Sequence, residues 1–324
     1  MLAAQRRYQP VYQRIGAWLH QSFRATGWPV TFIQCLTNDG LWLQPTDYPL
    51  QPTYTGGGGK LVHTGYHLLD QIPWLMRHCQ IPGDDSSPVR RIASAHVCAT
   101  MFRPVDSAAL RGDASARDLA LAQLAEINAG LQVTFQDADG RAMCILQVGA
   151  LHEGLSLNPQ PPHADLAGRA RAANAGRTKQ DVLTIYQGPI GSIFLRRIAK
   201  LDGPGARLGQ RDHLELVCAS HPQLLPDSPP LQRFDLAYEH CDSEPTLEFL
   251  RALGDRDAEV ASPVSDHAVA IKLLSAAYES AIARQGVTIT FEPSEWRLPP
   301  GSGAYLSAAP FDRLRKSALV VSGV

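Results

Sequence analysis

Residues 56–77 read GGGGKLVHTGYHLLDQIPWLMR, four glycines running into a stretch with the spacing of an amphipathic helix. Residues without a Cβ let the chain turn tightly and let another group approach its backbone closely. From Lys60 onward, Leu61, Gly65, Leu68, Ile72 and Leu75 recur three or four positions apart, so one face of a helix over 60–77 packs inward. His63, His67 and Asp70 stand at i, i+4 and i+7 and share another face. Two imidazoles and a carboxylate beside a glycine loop can move a proton, because a histidine near its ordinary pKa, oriented by a carboxylate, suits abstraction from a hydroxyl. Two plainer readings use the same residues. Helix histidines are commonly solvated or paired without chemistry, and the spacing of His63 and His67 also matches two metal ligands, for which the sequence offers no obvious third.

Upstream, Pro10 followed by Val11, Ile15, Trp18 and Leu19 at helical spacing predicts a helix stopped by Gly27. The run WPVTFIQCL over 28–36 predicts a strand. Downstream, β-rich runs over 92–102, 130–136, 143–149, 182–187, 192–201 and 214–219 are separated by turn residues, with Asp139-Gly140 as a hairpin turn between two of them. Such a meander is antiparallel. Polar or Pro/Ala/Gly-rich segments near 104–117, 158–180 and 221–230 carry no periodic apolar face and read as surface insertions in a single domain over 1–324. Near the end, Ser265-Asp266 is expected to cap the long helix HAVAIKLLSAAYESAIARQ, Gly286 to stop it, and 287–291 to form a strand. Helices outside a run of strands argue an α+β fold and not alternating βαβ units.

The 324 residues are 44% hydrophobic and 19% charged, with 30 basic against 31 acidic side chains and a net charge of −1. That balance lacks the clustered cationic excess needed by phosphate backbones or anionic lipid, so no nucleic-acid or membrane partner is expected. No apolar run is long enough to span a bilayer, and charge stands near the N-terminus where a signal peptide would be apolar, so a cytoplasmic protein is expected. The six cysteines are scattered without CxxC pairs and read as reduced, mostly buried thiols. Gly59-Lys60 is not a phosphate loop, since no Ser or Thr follows the lysine. Gly203-Pro204-Gly205 with Gly209 is followed by strand-like sequence where a dinucleotide loop needs a helix, and reads as a hairpin connection.

Three segments together resemble the second domain of the glucose-fructose oxidoreductase and inositol dehydrogenase (Gfo/Idh/MocA) family: QRRYQPVYQRI over 5–15, GGGxLxxxGxHxxD over 57–70, and SPVSDHAVAIKLLSAAYESAIARQGVTI over 262–289. The resemblance implies an open, mainly antiparallel sheet with helices on one face, a sugar-like or cyclitol substrate, and NAD or NADP as cofactor. It implies that His67 contacts the substrate hydroxyl and takes part in proton transfer. His63 stands where the family usually has Asp, which departs from its hydrogen-bond pattern.

The family's Rossmann domain, with GxGxxG and a catalytic Lys in a Glu-Lys-Pro segment, has no counterpart here, and Lys60 is the substitute this chain offers. The expected site is therefore His67 and His63 as catalytic groups, with Tyr54, Lys60, Asp70 and Trp42 as substrate-binding groups, the two aromatics packing on a sugar ring or else in the core. No cofactor-binding or metal-binding residue is expected. Two functions follow: the truncated substrate half of an NAD(P)-dependent oxidoreductase acting on CH–OH groups, or a non-catalytic sugar-binding or oligomerisation scaffold. Either exposes apolar sheet surface, so a homo-oligomer, dimer or tetramer, is expected.

Overall fold

Strand β1 (Phe32–Asn38) lies at the centre of the sheet and pairs in opposite senses with its two neighbours, antiparallel to β5 (Gln180–Gln187) and parallel to β4 (Ala142–Leu151). The structure, a computed structural model, describes residues 5–38, 58–110, 124–152, 180–199, 212–237 and 262–298, with Leu247, Leu250 and Leu306 as isolated positions. Among these residues the sheet has nine strands in the order β8-β7-β6-β5-β1-β4-β3-β2-β9. The remaining strands are β2 (Ser94–Phe102), β3 (Asn128–Gln136), β6 (Gly191–Ala199), β7 (Asp212–Ser220), β8 (Leu231–Ala237) and β9 (Val287–Thr290). Every pairing except β1–β4 is antiparallel. The fold is thus α+β with an open, mainly antiparallel sheet.

The alternation that marks these strands in the sequence is the alternation of burial. In β4, Cys144, Leu146, Val148 and Ala150 are buried while the intervening residues are half-buried, as period-two side chains on a sheet covered on one face require. Asp139-Gly140 makes the expected hairpin turn between β3 and β4: Asp137 N–H donates to Arg141 O at 3.0 Å, and Gly140 takes a positive φ of 77°. Strand β1 runs parallel to β4 because 38 and 142 are joined through a helix, β2 and β3, a crossover long enough to return the chain in the same sense. Strand β8 was not anticipated. Its LQRFDLA sequence buries only Phe234 fully, so an edge strand gives a weak alternating signal.

Helices supply the covering layer. A single turn, α1 (Gln5–Tyr8), leads into α2 (Pro10–Thr26), which buries Val11, Tyr12, Ile15, Trp18, Leu19 and Phe23. Gly27 ends it as expected, at φ 74° with its N–H on Phe23 O at 2.7 Å. Helix α3 (Tyr66–Met76) follows a five-residue π-helical turn, Leu61–Gly65, and α4 (Pro104–Leu110) follows β2 within a segment expected to be an insertion. Helix α5 (Ala268–Ala283) buries Val269, Leu273, Ala276 and Ala277. Both of its ends differ from expectation. It is entered through a 3-10 turn, Val264–His267, with no side-chain cap, because the Asp266 carboxylate is spent on arginines; and Arg284, not Gly286, takes the left-handed stop at φ 55°. Trp42, Tyr54 and the 203–209 segment lie outside the described residues, as do most of 158–180 and part of 104–117.

Candidate functional site

The π-turn is built on two glycines with no room for a side chain. A Cβ at Gly59 would overlap the backbone oxygen and carboxylate of Glu126, and a Cβ at Gly65 would press on Leu61 and approach Ala150 of β4 to 3.2 Å. Glu126 uses that closeness. Its backbone oxygen accepts from Lys60 N–H at 2.9 Å, and its Oε1 accepts from Leu61 N–H and the Tyr278 hydroxyl, each at 2.8 Å. The otherwise unpaired N–H groups at the start of the helix are thus satisfied, and the segment is bolted to the sheet and to α5. The irregular turn rotates His63 to an exposed position while Lys60 is buried at 1% exposure.

Asp70 sits in the protein interior. Arg7 grips it through Nε, 2.9 Å from Oδ2, and through Nη2 on Oδ1, while His267 Nδ1 lies 2.7 Å from Oδ1. Burial pushes the carboxyl upward, but the His267 hydrogen bond and the Arg7 guanidinium outweigh it and hold Asp70 at about 2. An ionised Asp70 fixes the His267 tautomer: Nδ1–H donates to the carboxylate, and Nε2, 2.8 Å from Ser262 Oγ, accepts that hydroxyl. Arg7 also reaches Asp266 at 3.3 Å, and Arg77 donates to Asp266 O at 3.1 Å. Both oxygens of Asp70 therefore serve the anchoring of the 5–8 turn, α3 and the entry to α5. The carboxylate that spacing suggested as the orienter of the helix histidines is held by Arg7 and His267.

His67, one turn earlier, is different. Its half-buried ring has no hydrogen-bond partner among the described residues, only an edge contact with Tyr66 at 6.0 Å between centroids. Burial, then the Arg6 charge, lowers its pKa to about 4 against the opposing pull of Asp70. The ring is neutral at physiological pH and offers a nitrogen lone pair. Arg6 itself is held between Gln71 Oε1 at 3.3 Å and Asp181 Oδ1 at 3.2 Å. Exposed His63 has its Nδ1 3.2 Å from Thr64 Oγ1.

Tyr66 is the residue that sequence reasoning passed over. Its hydroxyl oxygen lies 2.6 Å from His267 Nδ1, sharing that hydrogen with Asp70, which leaves the phenol's own proton free for another acceptor. The only sequence signal was its position next to His67; the second half of the device, His267, lies 201 residues away. His67 and Tyr66 together can accept one hydrogen bond and donate another to a polar ligand. Among the described residues no group of acidic, His or Cys side chains could hold a metal ion. Clefts of about 530 and 800 Å³ are lined by neither His63 nor His67; the first surrounds Cys98, the second Phe102 and Tyr278.

No protein-family model matches the chain, and no curated protein sequence does. Solved structures that resemble it include GenD2 from gentamicin A biosynthesis in complex with NAD, at 16% identity and a TM-score of 0.47, covering 88% of this chain and 62% of that one. Levoglucosan dehydrogenase in complex with NADH and L-sorbose is 16% identical at a TM-score of 0.46, covering 86% and 64%. An oxidoreductase domain protein from Kribbella flavida is 17% identical at 0.44, covering 86% and 64%. The chain thus spans a little under two thirds of these oxidoreductase structures. No helix among the described residues is long and apolar enough to cross a membrane.

Proposed function

We propose that this fold is the substrate half of an NAD(P)-dependent oxidoreductase acting on a CH–OH group of a sugar-like or cyclitol molecule. The observation that carries this reading is His67, an unpartnered, half-buried, neutral imidazole beside a phenol whose oxygen is already fixed by His267. His67 accepts the hydrogen of a substrate hydroxyl, Tyr66 donates to the same or the adjacent oxygen, and exposed His63 reaches over the rim. Such an acceptor–donor pair matches a polyol, every hydroxyl of which both donates and accepts. Lys60 and Asp70 act from beneath the site, Asp70 by fixing His267 and through it Tyr66. Trp42 and Tyr54 complete the sugar-binding surface. The described residues contain no strand, glycine loop and helix that could seat a dinucleotide pyrophosphate, so they do not by themselves fit NAD or NADP. The cofactor-binding half, on this reading, belongs to the full enzyme beyond these residues.

A second reading is favoured by the low pKa of His67. A ring that binds a proton only near pH 4 is a weak base, well suited to holding a hydroxyl without abstracting its proton, as in a sugar-binding scaffold. Calorimetric titration of the full chain with inositols and aldoses, with and without NAD(P), tests both. Polyol binding that is abolished in His67→Ala and coupled to nucleotide binding supports the oxidoreductase. Polyol binding indifferent to nucleotide supports the scaffold, and no polyol binding overturns both. We also propose that the sheet face left uncovered by the described residues, where Phe32 meets Tyr186 at 5.8 Å beside Leu36, Val182 and Phe194, associates with a second copy in a cytoplasmic dimer or tetramer. Sedimentation as a clean monomer at micromolar concentration overturns that proposal.

A further inference from the structure

Strand β9 covers the outer edge of β2 only from Ser94 to Val97, and beyond it the edge opens into the cleft of about 530 Å³. Cys98 is the first residue past the covered part. It is exposed, while Cys35, Cys79, Cys144 and Cys218 are buried, and burial holds the thiols of Cys35, Cys79 and Cys218 up at about 12. His96, two residues earlier on the same face of β2, places Nε2 3.5 Å from Cys98 Sγ. The opposite ring nitrogen, Nδ1, lies 3.2 Å from Thr288 Oγ1 on β9, so with Nδ1–H donated to the threonine, Nε2 is the acceptor facing the sulfur. Gly286 completes the arrangement. A Cβ there would collide with the Cε1 and Nε2 edge of His96 and stand 3.2 Å from Cys98 Sγ, so a glycine is what lets the imidazole lie over the thiol.

The cleft has a polar wall: Thr100, Gln132, Gln285 and Arg284 line it with Cys98. Arg284, exposed at the left-handed stop of α5, lines both this cleft and the one of about 800 Å³, and its guanidinium has no ion-pair partner among the described residues. We propose that Cys98, His96 and Thr288 form a thiol–disulfide exchange site that takes a small disulfide bearing a carboxylate, which Arg284 binds. In the exchange Cys98 Sγ attacks one sulfur of the disulfide as His96 Nε2 takes the thiol proton. The disulfide S–S bond breaks, the departing thiolate recovers the proton from His96, and the chain is left with a mixed disulfide at Cys98. The disulfide is the oxidant, so electrons balance without another reagent. This site is independent of His67 and of the proposed oxidoreductase reading.

The test uses the full chain with Cys241→Ser, because Cys241 lies outside the described residues. Stopped-flow thiolation at pH 7 by a dianionic aromatic disulfide and by neutral hydroxyethyl disulfide, with peptide mapping by mass spectrometry, reads the rate and the position. Cys98 is expected to be the thiol modified. His96→Gln is expected to slow both reagents about tenfold or more, within the range of a lost general base. Gly286→Ala, which displaces the ring without removing it, is expected to do the same, and Arg284→Gln to slow the dianionic reagent alone. Unchanged rates in His96→Gln, equal effects of Arg284→Gln on both reagents, or modification elsewhere overturn the proposal; circular dichroism confirms that each variant is folded.

Discussion

His67 and His267 lie on either side of Tyr66 in ring contact with it and have opposite fates. His267 is fully buried, with Nδ1 on Asp70 and Tyr66 and Nε2 on Ser262, so every polar atom of the ring is used by the fold. His67 is half-buried, and its ring nitrogens are used by nothing in the described structure. The difference separates a structural histidine from a candidate functional one: polar capacity that the described fold leaves unspent is what the proposed ligand contact at His67 rests on.

The largest effect comes from breaking the partnered side. Asp70→Ala removes the carboxylate shared by buried Arg7 and His267, leaving Arg7 only its longer contacts to Asp266, and is expected to cost about 3–5 kcal/mol in a urea melt. His267→Ala leaves one bond of Asp70 unmet and removes the anchor of Tyr66, an expected loss of about 1–3 kcal/mol with weakened polyol binding. On the unpartnered side, His67→Gln is expected to alter stability by no more than about 0.5 kcal/mol while polyol affinity falls at least tenfold by calorimetry. A large loss of stability in His67→Gln would erase the contrast.

Titration sharpens the same comparison. Burial places His67 at about 4 and His78 at about 3 in the fold, against an ordinary 6.5, so between those values the unfolded chain binds more protons. Stability therefore rises with pH through that window and is lost as pH falls from about 6.5 toward 4 and below. Asp70, held at about 2 against 3.8, adds a second loss as pH falls between those values. Thermal melts should show His67→Gln flattening the upper part of the curve, and Asp70→Asn the lower part.

The α3 part of the helix expected over 60–77, the β3–β4 hairpin at Asp139-Gly140 and the stop at Gly27 were legible because each depends on neighbours a few residues away, whereas the π-turn over Leu61–Gly65 is held by Glu126 from a distance. Misreadings arose where distant residues compete for the same atoms. Asp266 reads as a cap locally, yet two buried arginines, Arg7 and Arg77, offer its carboxylate more than a solvated helix end does. Asp70 reads as a partner of His67 by helical spacing, yet Arg7 and His267 reach it from sequence separations of 63 and 197 residues, the latter being 267 less 70.

By itself the sequence determined the apolar rows that make a one-sided sheet with helices, and it placed two histidines and a carboxylate at helical spacing beside glycines. Tertiary structure decided which of those groups is spent and which is spare, because hydrogen-bond capacity is allocated by proximity in space. It brought His267 to Tyr66 and Asp70, left His67 without a hydrogen-bond partner among the described residues, and set His96 over Cys98 at a sheet edge that β9 stops short of covering.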